Sequence, residues 1–300
     1  MQEKKLKKID KNILLYNSYF FKYLHSIFSI IILNNKFFHI YTKLLNIRKY
    51  LSYYMLNKDH PRYQSLVYRE KIVEAHENGI LADSGMIAHG RGETFDYLIG
   101  EKTTPNSQNT IDVAACYFLT RKHPVLSVNG NTTALVSEDI AKLSELLDIP
   151  VEINLYYRTP ERIENIERVY KDLGVKEILG TDEDDFIDTP NLNGPRSPVS
   201  IEGIKKSDLV FIPLEDGDRA EKLYDLGKDI ISVDLNPLSR TAQTSTVTIV
   251  DNIVRVLPAL IESVKKYENY DKTDIQEKID LFNNKTNLNI AINDIIKRFE

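Results

Sequence analysis

The stretch LVFIPLEDGDRAEKLYDLGKDIISVDL, Leu209 to Leu235, decides the fold. Its ends, LVFIPL (209–214) and IISVDL (230–235), are short apolar runs rich in β-branched residues, and RAEKLYDLGK lies between them. Short apolar runs of this kind read as strands buried on both faces, and a helix between two of them makes the repeating unit of a parallel sheet. Working outward, VTIV (247–250) comes next, and PVLSV (124–128), VEINLYY (151–157) and KEIL (176–179) precede. Helical segments separate most of them: SEDIAKLSELLD, capped by Ser137; ERIENIERVYKDLG, introduced by Thr159 and Pro160; and NIVRVLPALIESVKKY. Two further helices are expected ahead of the first strand, over HPRYQSLVYREKIVEAHENG and NSQNTIDVAACYFLTRK. The expected fold class is α/β, a mostly parallel sheet with helices on both faces plus N-terminal and C-terminal helices.

In such a sheet, ligands bind at the carboxyl ends of the strands, where strand order switches. The residues after each expected strand should therefore be polar, and they are: NGNTT, RTPER, EDGDR, NPLSRTAQT and DN. Asn129 and Asn131 of NGNTT are candidates for a substrate phosphate or carboxylate, since backbone N–H groups and short amides at a strand end or helix start hold anions. An ordinary Asn-Gly turn is the alternative. Arg158 of RTPER is a further candidate for the same anionic groups. Asp216 and Asp218 of PLEDGDR are candidate Mg²⁺ ligands beside Glu215, because Mg²⁺ takes one or two carboxylates plus substrate oxygens; a solvated acidic turn is the alternative. DLNPLSRTA supplies Asp234 and Asn236 for ribose or base and Ser239, Arg240 and Thr241 for anionic groups, or else an N-cap and a surface arginine. In HGRGE, Arg91 is a forked donor that glycines on both sides leave open to a ligand, with His89 and Glu93 as proton or metal partners. The alternative is a solvated loop with a salt bridge.

Length and composition set outer bounds. The 300 residues are 42% hydrophobic, enough for a substantial core. The longest apolar run, IFSIIIL, is well short of the roughly 20 residues that cross a bilayer. A single cysteine, Cys116 in VAACYFL, excludes an intrachain disulfide framework and reads as a buried thiol in a cytoplasmic protein. Residues 1–54 hold a balance of +8 against the whole chain's −5, so the other 246 residues carry −13. That acidic body argues against nucleic acid as the principal partner. Lys, Asn, Ile, Tyr and Phe, whose codons are rich in A and T, make up 34 of the first 54 residues against 77 of the next 246. This extension therefore reads as translated upstream sequence ahead of Met55, with a basic aromatic membrane-surface segment or a helical hairpin as the alternatives. The expected organisation is an extension over 1–54, a catalytic domain over 55–266 and an amphipathic helical tail over 267–300. Gly90 and Gly92 begin a G-x-G-x-x-G frame, but Phe95 stands at its third glycine; P-loop, zinc and G-x-S-x-G patterns do not occur either.

Taken in order, HPRYQSLVYRE, GMIAHGRGETFDYLIGE, HPVLSVNGNTTAL, EINLYYRTPERI, LVFIPLEDGDRAEKL and ISVDLNPLSRTAQTSTVTIVDNIVRVLP resemble the archaeal-type phosphopantothenate synthetases, the 4-phosphopantoate–β-alanine ligases, from about His60 to Pro258. The resemblance implies a Rossmann-like homodimer that uses ATP and Mg²⁺ to join 4-phosphopantoate to β-alanine through an acyl adenylate, releasing AMP and pyrophosphate on the route to coenzyme A. It implies nucleotide contacts from Arg69, Arg91, Asp234, Leu235, Asn236, Arg240, Thr241, Asn252 and Ile253, with Arg91 meeting the charge that gathers on the phosphates; the base for the incoming amine is not assigned by sequence, and His89 is a candidate for it. Thr94 departs from the small apolar residue expected after RGE, and residues 1–54 have no counterpart. A different ATP-dependent phosphotransferase, such as a pantoate kinase, and a non-catalytic nucleotide-binding protein are the competing readings.

Overall fold

The computed structural model describes residues 58–60, 62–181, 186–189 and 197–300. The chain divides into two units, Met1–Val67 and Tyr68–Glu300, and the sheet and its helices belong to the second. The expectations for residues 1–54 lie outside the described residues.

Six parallel strands form the main sheet: β1 (Pro124–Val128), β2 (Val151–Ile153), β3 (Ile178–Leu179), β6 (Leu209–Pro213), β7 (Asp229–Val233) and β8 (Val247–Ile249). Their order, β3-β2-β1-β6-β7-β8, is that of a doubly wound sheet. The chain winds outward from β1 in one direction and returns to the centre at β6 to wind in the other. Between β3 and β6 a separate antiparallel pair, β4 (Phe186–Asp188) and β5 (Pro198–Ser200), is inserted. Its strands are three residues each, too short to leave a periodic signal in the sequence.

Alternation along the strands explains the two cores. Leu126, Val128, Val151, Ile153, Leu209 and Phe211 face one way and join the larger cluster with Ile111, Cys116 and Leu257. Val125, Val210, Ile212 and Ile230 face the other way and pack with Val199, Ile204, Ala220 and Leu223. Burial on both faces is what makes these strands continuous apolar runs rather than alternating ones.

The helices are α1 (Tyr63–Glu77), α2 (Asp83–Ile99), α3 (Pro105–Thr120), α4 (Gly130–Leu147), α5 (Pro160–Asp172), α6 (Gly217–Asp225), α7 (Arg240–Thr244), α8 (Ile253–Tyr267), α9 (Lys272–Asp280) and α10 (Asn284–Ile296). The start read at Thr159 is in place, its side chain accepting from Arg162 N–H ahead of Pro160; the structure adds a cap at Asn252, which accepts from Val254 N–H. The start expected at Ser137 is corrected. The helix begins seven residues earlier, at Gly130, leaves helical geometry at Val136 (φ −141°, ψ 26°) and resumes at Ser137. The two C-terminal helices are built into the body: Ile275 and Ile279 enter the larger core, and Leu288 and Ala291 pack with Ala242 and Val250.

Candidate active site

The switch point of strand order lies between β1 and β6, and the residues just after both strands face each other there. Asn129 follows β1. Its side-chain oxygen accepts from the N–H and hydroxyl of Thr132, and its amide donates to the carbonyls of Pro213 (3.2 Å) and Leu214 (3.1 Å). Leu214 stands at φ 56°, a left-handed conformation that costs a non-glycine residue about 1 kcal/mol or more. Asn129 thus caps α4 and pins a strained turn after β6. Its side chain is used up in shaping the crevice, and what it offers a ligand is the helix start behind it. Asn131, at the start of the same helix, donates to Gly85 O (2.9 Å) and lines the cleft.

The cleft measures about 250 Å³. Gly85, Ala88 and Arg91 of α2 form one wall, Gly130 and Asn131 the floor, Tyr156, Tyr157 and Arg162 a second wall, and Leu214 and Asp216 the far side. That space suits a small acid and falls below the usual 300–1,000 Å³ of sites for larger ligands. A nucleotide would have to lie along the rim beside it.

The HGRGE segment is not a loop. It sits inside α2, and this corrects the sequence reading. α2 runs across the carboxyl ends of the strands. It meets Asn131 after β1 through Gly85, and Leu235 after β7, which a Cβ on Gly92 would approach to 3.6 Å; Asn252 after β8 donates to Asp96 (2.6 Å). Two glycines in one turn cost about 1 kcal/mol each against alanine. A Cβ at Gly90 would meet nothing within 4 Å, so no described protein atom demands that glycine. The space beside Arg91 is left open.

The cations along this rim differ in their partners. Arg91 is exposed and has no partner among the described residues. Arg69 instead makes a forked pair with Glu93 (2.8 and 3.2 Å). Arg240 pairs with Asp218 (2.6 Å) and Glu221 (2.7 Å). The three acids of PLEDGDR therefore diverge. Glu215 is buried against Arg219 (2.5 Å), Asp216 lines the cleft, and Asp218 sits against Arg240. Among the described residues, no group of three or more His, Cys, Asp or Glu side chains gathers as a metal cage. One or two carboxylates beside a phosphate remain a donor set that Mg²⁺ accepts.

Asp234, after β7, accepts from Asn236 N–H (2.9 Å) and from the Ser239 hydroxyl, and burial raises its carboxyl above the usual range. Thr241 donates to Glu215 O (2.9 Å), tying this turn to the one after β6. Leu235 and Ile253 are buried beside them. His89 is half-buried on α2, and burial lowers its pKa, so the ring is neutral at pH 7. Arg158 turns from the cleft, donating to Gly180 O (2.7 Å) and lying over the Phe186 ring; Arg162 takes its place there, donating to Ile80 O (2.9 Å). Tyr156 and Tyr157, expected to continue a strand, stand exposed beyond its end. Their position after an apolar run was the available signal. The partners Asp96, Asp251 and Arg255 left none, being up to 159 residues apart.

Comparison with known proteins shows the family. The chain is 46% identical over 228 residues to the 4-phosphopantoate–β-alanine ligase of Thermococcus kodakarensis, covering 76% of this chain and 87% of that protein. It is 45% identical over 233 residues to the protein of that name from Thermococcus onnurineus (77% and 88%), and 41% identical over 237 residues to that from Methanosarcina mazei (79% and 92%). Residues 106–298 match the phosphopantothenate/pantothenate synthetase family model, and the chain belongs to that family.

Proposed function

We propose that this chain is a 4-phosphopantoate–β-alanine ligase of coenzyme A biosynthesis that spends ATP to form 4′-phosphopantothenate, AMP and pyrophosphate. The observation that supports this most is Arg91, unpaired among the described residues, at the mouth of a switch-point cleft of small-acid size. A carboxylate is a poor electrophile and an aliphatic amine is mostly protonated at neutral pH, so the acid must be activated first. Attack of the pantoate carboxylate on the α-phosphate of ATP gives an acyl adenylate and gathers negative charge on phosphate oxygens, which fixed cationic donors stabilise. Arg91 supplies such a donor without first breaking an ion pair.

The phosphorylated acid occupies the cleft, its anionic groups at the start of α4 and the Asn131 amide, where the helix dipole favours negative charge. The nucleotide lies along Asp234, Leu235, Asn236, Asn252 and Ile253. Its phosphates compete with Glu93 for Arg69 and with Asp218 and Glu221 for Arg240, while Thr241 lies beside them. Asp216 and Asp218 would hold Mg²⁺, which when bound supplies charge neutralisation at the phosphates. His89, neutral at pH 7, can take the proton that the β-alanine amine must lose. A homodimer working in the cytoplasm completes the reading; among the described residues no helix is long and apolar enough to cross a membrane.

The test is incubation with ATP, Mg²⁺, 4-phosphopantoate and β-alanine, following amide and nucleotide together. Phosphopantothenate with stoichiometric AMP and pyrophosphate is expected. Release of ADP would point to a phosphotransferase instead.

A further inference from the structure

Behind the rim lies a buried ionic cluster to which the reaction assigns no step. Arg255 of α8 makes a forked contact with Asp96 of α2 (2.5 and 3.2 Å) and a second with Asp251 (2.5 and 2.9 Å). Asp251 is fully buried and also accepts from the Thr103 hydroxyl (2.6 Å). Asp96 is buried too, and accepts from the Asn252 amide (2.6 Å). Two buried carboxylates sharing one partly buried guanidinium, 23% exposed, are costly, and packing alone is met more cheaply by apolar side chains. Such a cluster is best at fixing register between elements.

The element so fixed is α2, weakened in its middle by Gly90 and Gly92. Its first half is held by Asn131 at Gly85 O, and its second half by Asp96. Arg91, without a partner of its own among the described residues, lies between these two anchors. Asn252 both caps α8 and touches Asp96, so the strand end at β8 and the helix carrying Arg91 share one carboxylate.

We propose that Asp96 and Arg255 are positioning residues that set the register of α2 across the strand ends, aiming Arg91 at the phosphates and coupling the β8 end to it. The inference rests on the nucleotide lying along that rim. Its test measures binding of a non-hydrolysable ATP analogue by calorimetry, separately from turnover. Asp96→Asn keeps the shape and loses the charge. It is expected to weaken analogue binding about tenfold and to leave the KM for β-alanine unchanged. Placed on Arg91→Ala, the same substitution should cost clearly less analogue affinity than it does in the wild-type background, because part of its effect acts through Arg91 and only the remainder through Asn252. Arg255→Lys, which keeps the cation without the fork, should fall between wild type and Asp96→Asn, and it carries the test if Asp96→Asn does not fold. Equal losses from Asp96→Asn with and without Arg91, or a uniform rise of every KM tracking a lower Tm, would overturn the proposal. A wild-type protein that binds the analogue but makes no amide would sink the ligase reading and leave this one standing.

Discussion

Gly90→Ala separates the two demands on α2. The glycine lies inside a helix, where alanine is favoured by about 0.8–1.0 kcal/mol. The new methyl would meet no described protein atom within 4 Å, so no steric cost offsets that gain. For a folded body of this size, 1 kcal/mol moves Tm by roughly 2–4 °C, and a rise of that order is expected. If the open space beside Arg91 is where nucleotide phosphates lie, the same methyl intrudes on the ligand. Overpacking of this kind costs about 1–3 kcal/mol, a loss of roughly five- to 150-fold in ATP affinity. Thermal unfolding by calorimetry and steady-state kinetics for each substrate read the two effects on one protein. Gly85→Ala is the contrast: its methyl would collide with Leu81 Cδ1 and fall 2.6 Å from Asn131 Oδ1, so Tm should fall. A Gly90→Ala protein that gains stability with unchanged KM for ATP would refute the account of why the glycine is there.

Arg91→Ala breaks no hydrogen bond or ion pair within the described residues, so Tm should stay within about 2 °C while turnover falls at least a hundredfold, the scale of losing one electrostatic donor. Near-normal kinetics would remove Arg91 from the mechanism. Asn129→Ala removes a helix cap and two bonds to the strained turn after β6, and denaturant unfolding should show a loss of about 2 kcal/mol; no change in midpoint would contradict its structural role. For His89, burial lowers the folded pKa below the unfolded value of about 6.5, so the unfolded chain binds more protons in that window. Stability should therefore fall as pH drops below about 6.5, and His89→Asn should flatten that part of the Tm profile; parallel profiles would reject the assignment.

The parallel sheet was legible because each strand declares itself locally. PVLSV, LVFIPL and IISVDL are apolar at most positions, and Thr159 caps its helix in place. The six family blocks carried the chemistry with them. The hairpin of Phe186–Asp188 and Pro198–Ser200 escaped because three residues hold too little periodicity to detect.

The chain alone determined its alternation of strand and helix and its family, since both are written in short contiguous runs. Only tertiary structure decided that HGRGE is helical, because two glycines argue locally against a helix, and contacts 46 and 156 residues away hold it in place. Tertiary structure also decided that Asn129 shapes the crevice and that Arg162 lines the cleft where Arg158 was expected. It decided as well that Arg91, alone among the arginines carried over from the family to the nucleotide, lacks a partner among the described residues. Burial and hydrogen bonding select partners by proximity in space, and residue order along the chain does not encode it.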